Sequence, residues 1–260
     1  MTEFWLVVAT TSSARRALRD RGPLLVSLCF YAVVSTVMST LWRTAALGHG
    51  GSLVGYSSTQ LTWYLYMSEA AIMALNVRLV EVIGDDIASG AIAVELLRPV
   101  PTLAVRVAAE VGRCLPRLAG CAVIGAALAT LTAGLPPHPA ALLLAAPSLV
   151  LAVTCNLIAQ HAFAGVAFWI RDARSTWFLY QKLVFVLGGM LIPIQLLPPW
   201  LHTTTVSLPF IAMAYAPARL ASGHVEPLLL GVQVGWLAVL GVLAWVVFSA
   251  GERQLQVVGG

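Results

Sequence analysis

Six long apolar runs, each bounded by charge, proline or glycine, decide what this chain can become. A helix crosses the ~30 Å hydrocarbon layer with about 20 apolar residues. The runs at about 23–42, 60–83, 117–134, 140–170, 176–197 and 227–250 lie close to or above that length. With 59% hydrophobic and 10% charged residues and a mean hydropathy of +0.87, the 260-residue chain has more apolar surface than a soluble core could hide. Unpaired backbone groups are costly in lipid, so helices are the expected form of all six runs. The reading is an all-α polytopic membrane protein, one transmembrane domain over 1–260. The fourth run, about 45 Å if wholly helical, should tilt or project inward.

Arginine placement orients the bundle. Arg15, Arg16, Arg19 and Arg21 precede the first run, and Arg98, Arg106, Arg113 and Arg117 separate the second from the third. Arg171, Arg174 and Arg253 fall on the same side, against Arg43 and Arg219 on the other, which predicts both termini in the cytoplasm. The net charge of +4 suits an anionic leaflet rather than nucleic acid, because no basic tract is interleaved with aromatics. Residues 2–21 carry Phe4, Trp5, Leu6, Val7 and Val8 ahead of the arginines, a pattern for an interfacial helix, with a frayed tail as the alternative. A cleaved signal peptide is not expected, since the first run is as long as a full span.

The chain offers no catalytic centre. Cys29, Cys114, Cys121 and Cys155 form no Cys-x-x-Cys pair, and the five histidines are scattered, so disulfides and metal sites are not expected. Lys182 is the single lysine, so the phosphate-cradling loop that ends in Gly-Lys-Ser/Thr cannot form. Any ATP must be held by another chain.

The charged insert 81–99 separates the second and third runs. Gly84 is expected to break the second span, Asp85 and Asp86 to start a short helix, and Pro99 to stop it. Ile87, Ala91 and Val94 would give that helix an apolar docking face, with Arg98 at its C-terminal dipole. An ordinary solvated loop helix would show similar spacing. Two blocks then become recognisable. Gly84-Asp85-Asp86-Ile87-Ala88-Ser89-Gly90 with Leu96-Leu97-Arg98-Pro99 is one. The other is Gly189-Met190-Leu191-Ile192-Pro193-Ile194, followed by Leu197-Pro198-Pro199-Trp200-Leu201, Leu208-Pro209-Phe210 and Ala216-Pro217. In order and spacing they resemble ABC type-2 export permeases, closest to small bacterial single-domain ones.

That resemblance implies the transmembrane half of an ATP-driven exporter in a bacterial plasma membrane. ATP and Mg²⁺ would sit on a separate nucleotide-binding subunit, and a second permease chain would complete the pair. Asp85, Asp86, Ile87, Ala91, Val94, Leu97 and Arg98 would belong to a coupling helix spanning 85–97. The segment 198–223, with Pro193, Pro198, Pro199 and Pro209, would re-enter the bilayer and close an outer gate. Pro209, Pro217 and the threonines 203–205 argue independently against a seventh span there.

Ionisable groups in hydrocarbon cost roughly 3 kcal/mol or more. Glu69 is the clearest case, and Glu69, Met73, Asn76 and Val80 would share one face of an unbroken second helix. Its candidate partners are Asn156 and Gln160 on the fourth run, His161 beside them, or Lys182. Glu69, Asn76, Asn156 and Gln160 are therefore either a structural polar cluster or part of a transport path. The alternative function is a secondary transporter that uses Glu69 to bind a proton or cation, although two matched broken helices are not evident. Gly231 and Gly235, and separately Gly120 and Gly125, would permit close helix approach.

Overall fold

A computed structural model describes residues 2–53, 55–76, 78–96, 100–170, 173–190 and 193–258. The first helix, α1 (Thr2–Arg19), passes through Asp20 into α2 (Arg21–Gly48). A small antiparallel hairpin of β1 (Ser52–Leu53) and β2 (Tyr56–Ser57) returns the chain. The second run then yields α3 (Ser58–Met73) and α4 (Leu79–Ala88), and the insert yields α5 (Ile92–Leu96). Next come α6 (Thr102–Ala133), α7 (Leu142–Gly165), α8 (Ala167–Ile170) and α9 (Ala173–Leu187). The remainder holds α10 (Pro199–Val206), α11 (Tyr215–Ala221) and α12 (Leu228–Val258).

Four helical stretches among the described residues are long and apolar enough to cross a membrane: Arg21–Gly48, Thr102–Ala133, Pro139–Ile170 and Leu228–Gln254. They realise the first, third, fourth and sixth runs. The second and fifth runs depart from expectation. The run 60–83 is not one helix, because α3 stops at Met73 and α4 restarts at Leu79. Among the described residues, the run 176–197 is α-helical only to Leu187, and Gly189 takes a φ of +71°. At 16 and 15 residues, α3 and α9 are about 24 and 22 Å long, short of the hydrocarbon thickness.

The shortness of α3 goes with its position. It starts on a capping box, in which the Ser57 hydroxyl accepts from the Gln60 backbone N–H (3.2 Å) and Gln60 Oε1 accepts from the Ser57 N–H (3.0 Å). Its residues Leu61 to Ala71 are all buried. A helix apolar nearly all round belongs inside a bundle, and α2, α6, α7 and α11 surround this one. In contrast, α12 and α2 turn Trp245, Val26 and other large apolar side chains outward, as lipid-facing helices do.

Small residues set the closest approaches. A Cβ on Gly112 would lie 2.1 Å from the Thr10 carbonyl oxygen, so α1 lies directly along the first half of α6. Thr10 Oγ1 also donates to Ala108 O at 3.1 Å. That leaves Phe4, Trp5 and Val7 exposed, as a helix lying in an interface would need. Gly120 admits Leu28 and Gly125 admits the Tyr31 ring, whereas Gly231 and Gly235 meet nothing within 4 Å.

The segment after α9 folds back instead of crossing. Pro199 opens α10, Pro209 opens a 3₁₀ turn (Pro209–Ala212), and α11 packs against α3 and α7. Gln233 on α12 fastens it by donating Nε2 to the Ala212 carbonyl (2.8 Å), while its Oε1 accepts from the Ser148 hydroxyl (2.8 Å). One end of the molecule thus gathers the hairpin, the Pro137–His138 turn and Gly223. The opposite end gathers α1, α4, α5 and the start of α6 around a polar cavity of about 510 Å³.

Candidate functional site

The break in the second run is the centre of the site. Asn76 Oδ1 accepts from the Arg78 backbone N–H (3.1 Å), a local turn that competes with helix continuation. A carbonyl freed by such a break needs a protein partner at membrane depth. Arg117 on α6 supplies it by donating Nη1 to the Leu75 carbonyl (3.1 Å). The break in the fifth run is satisfied in the same way, since the Tyr64 hydroxyl of α3 donates to the Gly189 carbonyl (2.8 Å). There a Cβ on residue 189 would lie 2.6 Å from Ile194 Cγ2 and 2.8 Å from the Tyr64 hydroxyl, so glycine is required by space as well as by φ.

Beside the first break lies a cavity of about 180 Å³ between α2, α3, α6, α7 and α9. Its walls include Ile72, Met73, Val184 and Phe185, its rim includes the exposed Phe30, and its polar side is made by Asn76, Arg117, Asn156, Gln160 and Tyr180. The polar side is internally wired: Asn156 Oδ1 accepts from Tyr180 (2.6 Å) and from Gln160 Nε2 (2.8 Å). Asn76 also lines the 510 Å³ polar cavity, so the two chambers meet at the break.

Three of the four polar residues singled out from the sequence, Asn76, Asn156 and Gln160, converge on this cavity, and Glu69 does not line it. The face proposed for Glu69, Met73, Asn76 and Val80 is corrected by the break, which puts Val80 on a different helix from Glu69. Glu69 is buried on α3, and its Oε2 has no hydrogen-bond partner among the described residues. Of its suggested partners, Asn156 and Gln160 are bonded to each other, while His161 Nε2 is itself buried with no hydrogen-bond partner among the described residues. His161 Nδ1 is 2.7 Å from the Leu157 carbonyl, and Lys182 lies exposed with its Nζ 5.0 Å from the centre of the Phe178 ring.

The insert also departs from its expected shape. Gly84 does not end a helix and Asp85 and Asp86 do not start one, because α4 runs through all three to Ala88. A mid-helix glycine costs only about 1 kcal/mol, and the apolar stripe Leu79, Val80, Ile83 and Ile87 packing inward outweighs it. The turn comes at Gly90, φ +76°, after which α5 is a separate helix. Ile87 is therefore buried core, while Ala91 and Val94 are exposed, and the three form no common face. Leu97 and Arg98 lie outside the described residues.

Arg106, read from sequence only as an orientation marker, holds this element. Its Nη2 donates to Asp86 Oδ2 (2.8 Å) and its Nε to Glu95 Oε2 (2.7 Å), tying α4 and α5 to α6. Asp85 remains exposed beside the turn.

At the other end, Pro193 precedes a 3₁₀ turn, Pro198 and Pro199 open α10, and Pro209 opens the next turn, where a missing N–H costs nothing. Gln195 joins two rings by donating Nε2 to the hydroxyls of Tyr56 and Tyr215, each at 3.1 Å. Arg219 lies over Tyr56 and pairs with Glu226 (3.0 Å). His224 sits against Tyr56, and partial burial with the nearby Arg219 cation pushes its imidazole below the usual range. Gln195, Tyr180 and Arg117 were not legible as site residues, because a lone polar side chain in an apolar run carries no period.

No curated protein matches the chain. Over residues 33–259, however, it matches the family described as ABC-2 family transporter protein, which takes in both helix breaks, the insert and the folded-back segment. The chain belongs to that family: it is a multi-pass membrane permease component of an ABC transporter, a transport subunit that associates with an ATPase subunit.

Proposed function

We propose that the chain is the membrane half of an ATP-driven exporter, in which α4 acts as a lever between a surface turn and the cavity at the break. The carrying observation is the position of that helix. One end abuts Asn76, which lines both chambers, and the other ends about 15 Å away at the turn flanked by the exposed Asp85 of α4 and Val94 of α5. Because Arg106 clamps α4 and α5 together, force applied at the turn would move α4 as a unit. Closure of the partner subunits on ATP and Mg²⁺ would thus tilt α4 and change which side the cavity faces. The segment 198–223 would close the opposite end, and two permease chains would pair in the full complex. Arginine asymmetry supports an orientation with both termini, α1 and α5 cytoplasmic, and the family resemblance suggests a bacterial plasma membrane.

A proton- or ion-coupled carrier has one observation in its favour, since both the second and fifth runs are interrupted and Glu69 is buried with an unpartnered oxygen. Glu69 does not reach the cavity, however, and the insert has no task in that scheme. Co-purification separates the two. Mild-detergent extraction of the chain should bring down an ATP-binding protein in equal amounts, and Asp85→Arg with Val94→Arg should weaken that association at least ~tenfold with unchanged membrane yield. A chain isolated alone, active without ATP, would sink the exporter reading.

A further inference from the structure

The cavity at the first break has an asymmetry of charge that bears on what it holds. Among its described lining residues there is one ionisable cation, Arg117, and no carboxylate. Arg117 uses Nη1 on the Leu75 carbonyl, but its Nε is buried with no hydrogen-bond partner among the described residues. The nearest acid on the same helix, Glu110, is paired with Arg113. On its other side Arg117 lines a further cavity of about 280 Å³ with Arg16 and Arg113, where Asp20 is the only acid among the described lining residues. A buried guanidinium donor without an acceptor is costly, so the site is electrostatically incomplete as it stands.

We infer that this cavity binds an amphiphile with an acidic head group, a phosphate or carboxylate, whose oxygens complete Arg117 while its apolar body occupies the space walled by Ile72, Met73, Val184 and Phe185. The volume, about 180 Å³, is close to that of the ~150 Å³ engineered cavities that hold benzene, so one ring or a short chain segment fits. The rest of the molecule would leave past Phe30, which is 60% exposed on the outer face of α2. Asn76, Asn156, Gln160 and Tyr180 add neutral polar contacts that serve many heads equally, so the discrimination by charge falls to Arg117. This inference names the ligand class for the exporter proposed above and rests on that reading only for the ligand's being cargo.

The test uses the full chain in neutral detergent and three dodecyl compounds brominated on the tail, with phosphate, trimethylammonium or maltoside heads. Bromine quenches nearby indole fluorescence, and the signal of Trp177, which lines the cavity, is isolated by subtracting that of Trp177→Phe. The phosphate probe should bind roughly tenfold more tightly than the ammonium probe, the scale of one charge-assisted hydrogen bond. Arg117→Gln should remove the preference for phosphate over ammonium, while Arg117→Lys should keep part of it. Equal binding of the three heads by the unmodified chain, or a preference for ammonium, overturns the inference without recourse to any variant.

Repeating the measurement in nanodiscs separates two sources of the same chemistry. Loss of the phosphate-probe signal in phosphatidylglycerol but not phosphatidylcholine discs assigns the site to an acidic membrane lipid. Persistence in both assigns it to a single-chain ligand. Reconstitution with the ATPase separates this inference from the export reading. Phosphate-selective binding without ATP-driven movement would leave the inference standing and defeat export, whereas ATP-driven movement of the ammonium probe alone would do the reverse.

Discussion

Replacing Arg106 by Gln should free α5 from the bundle while leaving the spans intact. The Arg106 side chain is 15% exposed, and its two carboxylate partners are 37% and 38% exposed, at 2.8 and 2.7 Å. Pairs this accessible are screened, so each is worth about 1 kcal/mol, not the several kcal/mol of a dry pair. Losing both removes about 2 kcal/mol, or roughly a 30-fold shift in a local opening equilibrium. A five-residue helix has no stability of its own, and apart from the clamp its anchor is the buried Ile92. Amide exchange over 91–96, followed by mass spectrometry, should therefore quicken about 30-fold, with exchange in α7 unchanged. Arg106→Lys keeps the charge but loses the fork that reaches both acids, and should fall between. In the reconstituted complex, ATP hydrolysis should persist while transport per ATP drops. Unchanged exchange in Arg106→Gln would refute the clamp, as would an equal effect in a chain already carrying Asp86→Asn and Glu95→Gln.

Gly189→Ala should destabilise the chain by about 2–4 kcal/mol, combining the cost of a positive φ with loss of the Tyr64 bond, and Tyr64→Phe alone by about 1 kcal/mol, read from melting in detergent. Glu69→Gln should change stability by less than about 1 kcal/mol, because the site offers Oε2 no bond to lose; loss of transport with normal assembly would instead place Glu69 on the path. His224, lowered by burial and Arg219 and facing Tyr56, Glu226, His138 and Ser222, is depressed in the folded state. Its stabilising contribution is then present above the unfolded value near 6.5 and is lost as pH falls through the lower folded one. Melting temperature should drop as pH falls below about 6.5, and His224→Gln should blunt that drop. Cysteines at Ser52 and His138 should react with an impermeant thiol reagent outside intact cells, and those at Ala88 and Ser175 should not.

Much of the architecture was legible because lipid imposes one rule on long runs. The first, third, fourth and sixth runs became the four long helices, and between the fifth and sixth Pro209 opens a 3₁₀ turn while Pro217 sits in the first turn of the short α11, so no further long helix forms there. The second and fifth runs misled for a physical reason. Hydropathy is averaged over a window, and a single Asn at 76 or Gly at 189 hardly lowers the average of an apolar run, although both are poor helix formers. What makes the breaks tolerable is a donor from elsewhere in the chain, Arg117 in one case and Tyr64 in the other, at a sequence separation no local window spans. Gly84 misled in the opposite direction. It read as a breaker in a charged stretch, but a helix whose Leu79, Val80, Ile83 and Ile87 are buried can absorb one glycine.

The same logic separates the site residues found from those missed. Asn156 and Gln160 were visible because two amides one turn apart in an apolar run must meet each other or something else, and they do both. Arg117 was counted with the cytoplasmic arginines because it begins an apolar run, where positive charge usually marks a boundary. In the structure it completes a broken helix and lines a cavity at once. One residue doing both couples shape to occupancy. A ligand that draws the guanidinium toward itself must loosen its hold on Leu75, and the break at 74–78 is where α4 begins. Cavity filling and movement of α4 would then be two views of one equilibrium, so a ligand that binds only one position of α4 must shift that position's population by its differential affinity. It follows that Arg117→Gln should weaken the response of α5 amide exchange to an acidic amphiphile even though residue 117 touches neither α5 nor the ATPase. If ligand still alters exchange over 91–96 to the full extent in that variant, the cavity and the lever are not coupled through the break.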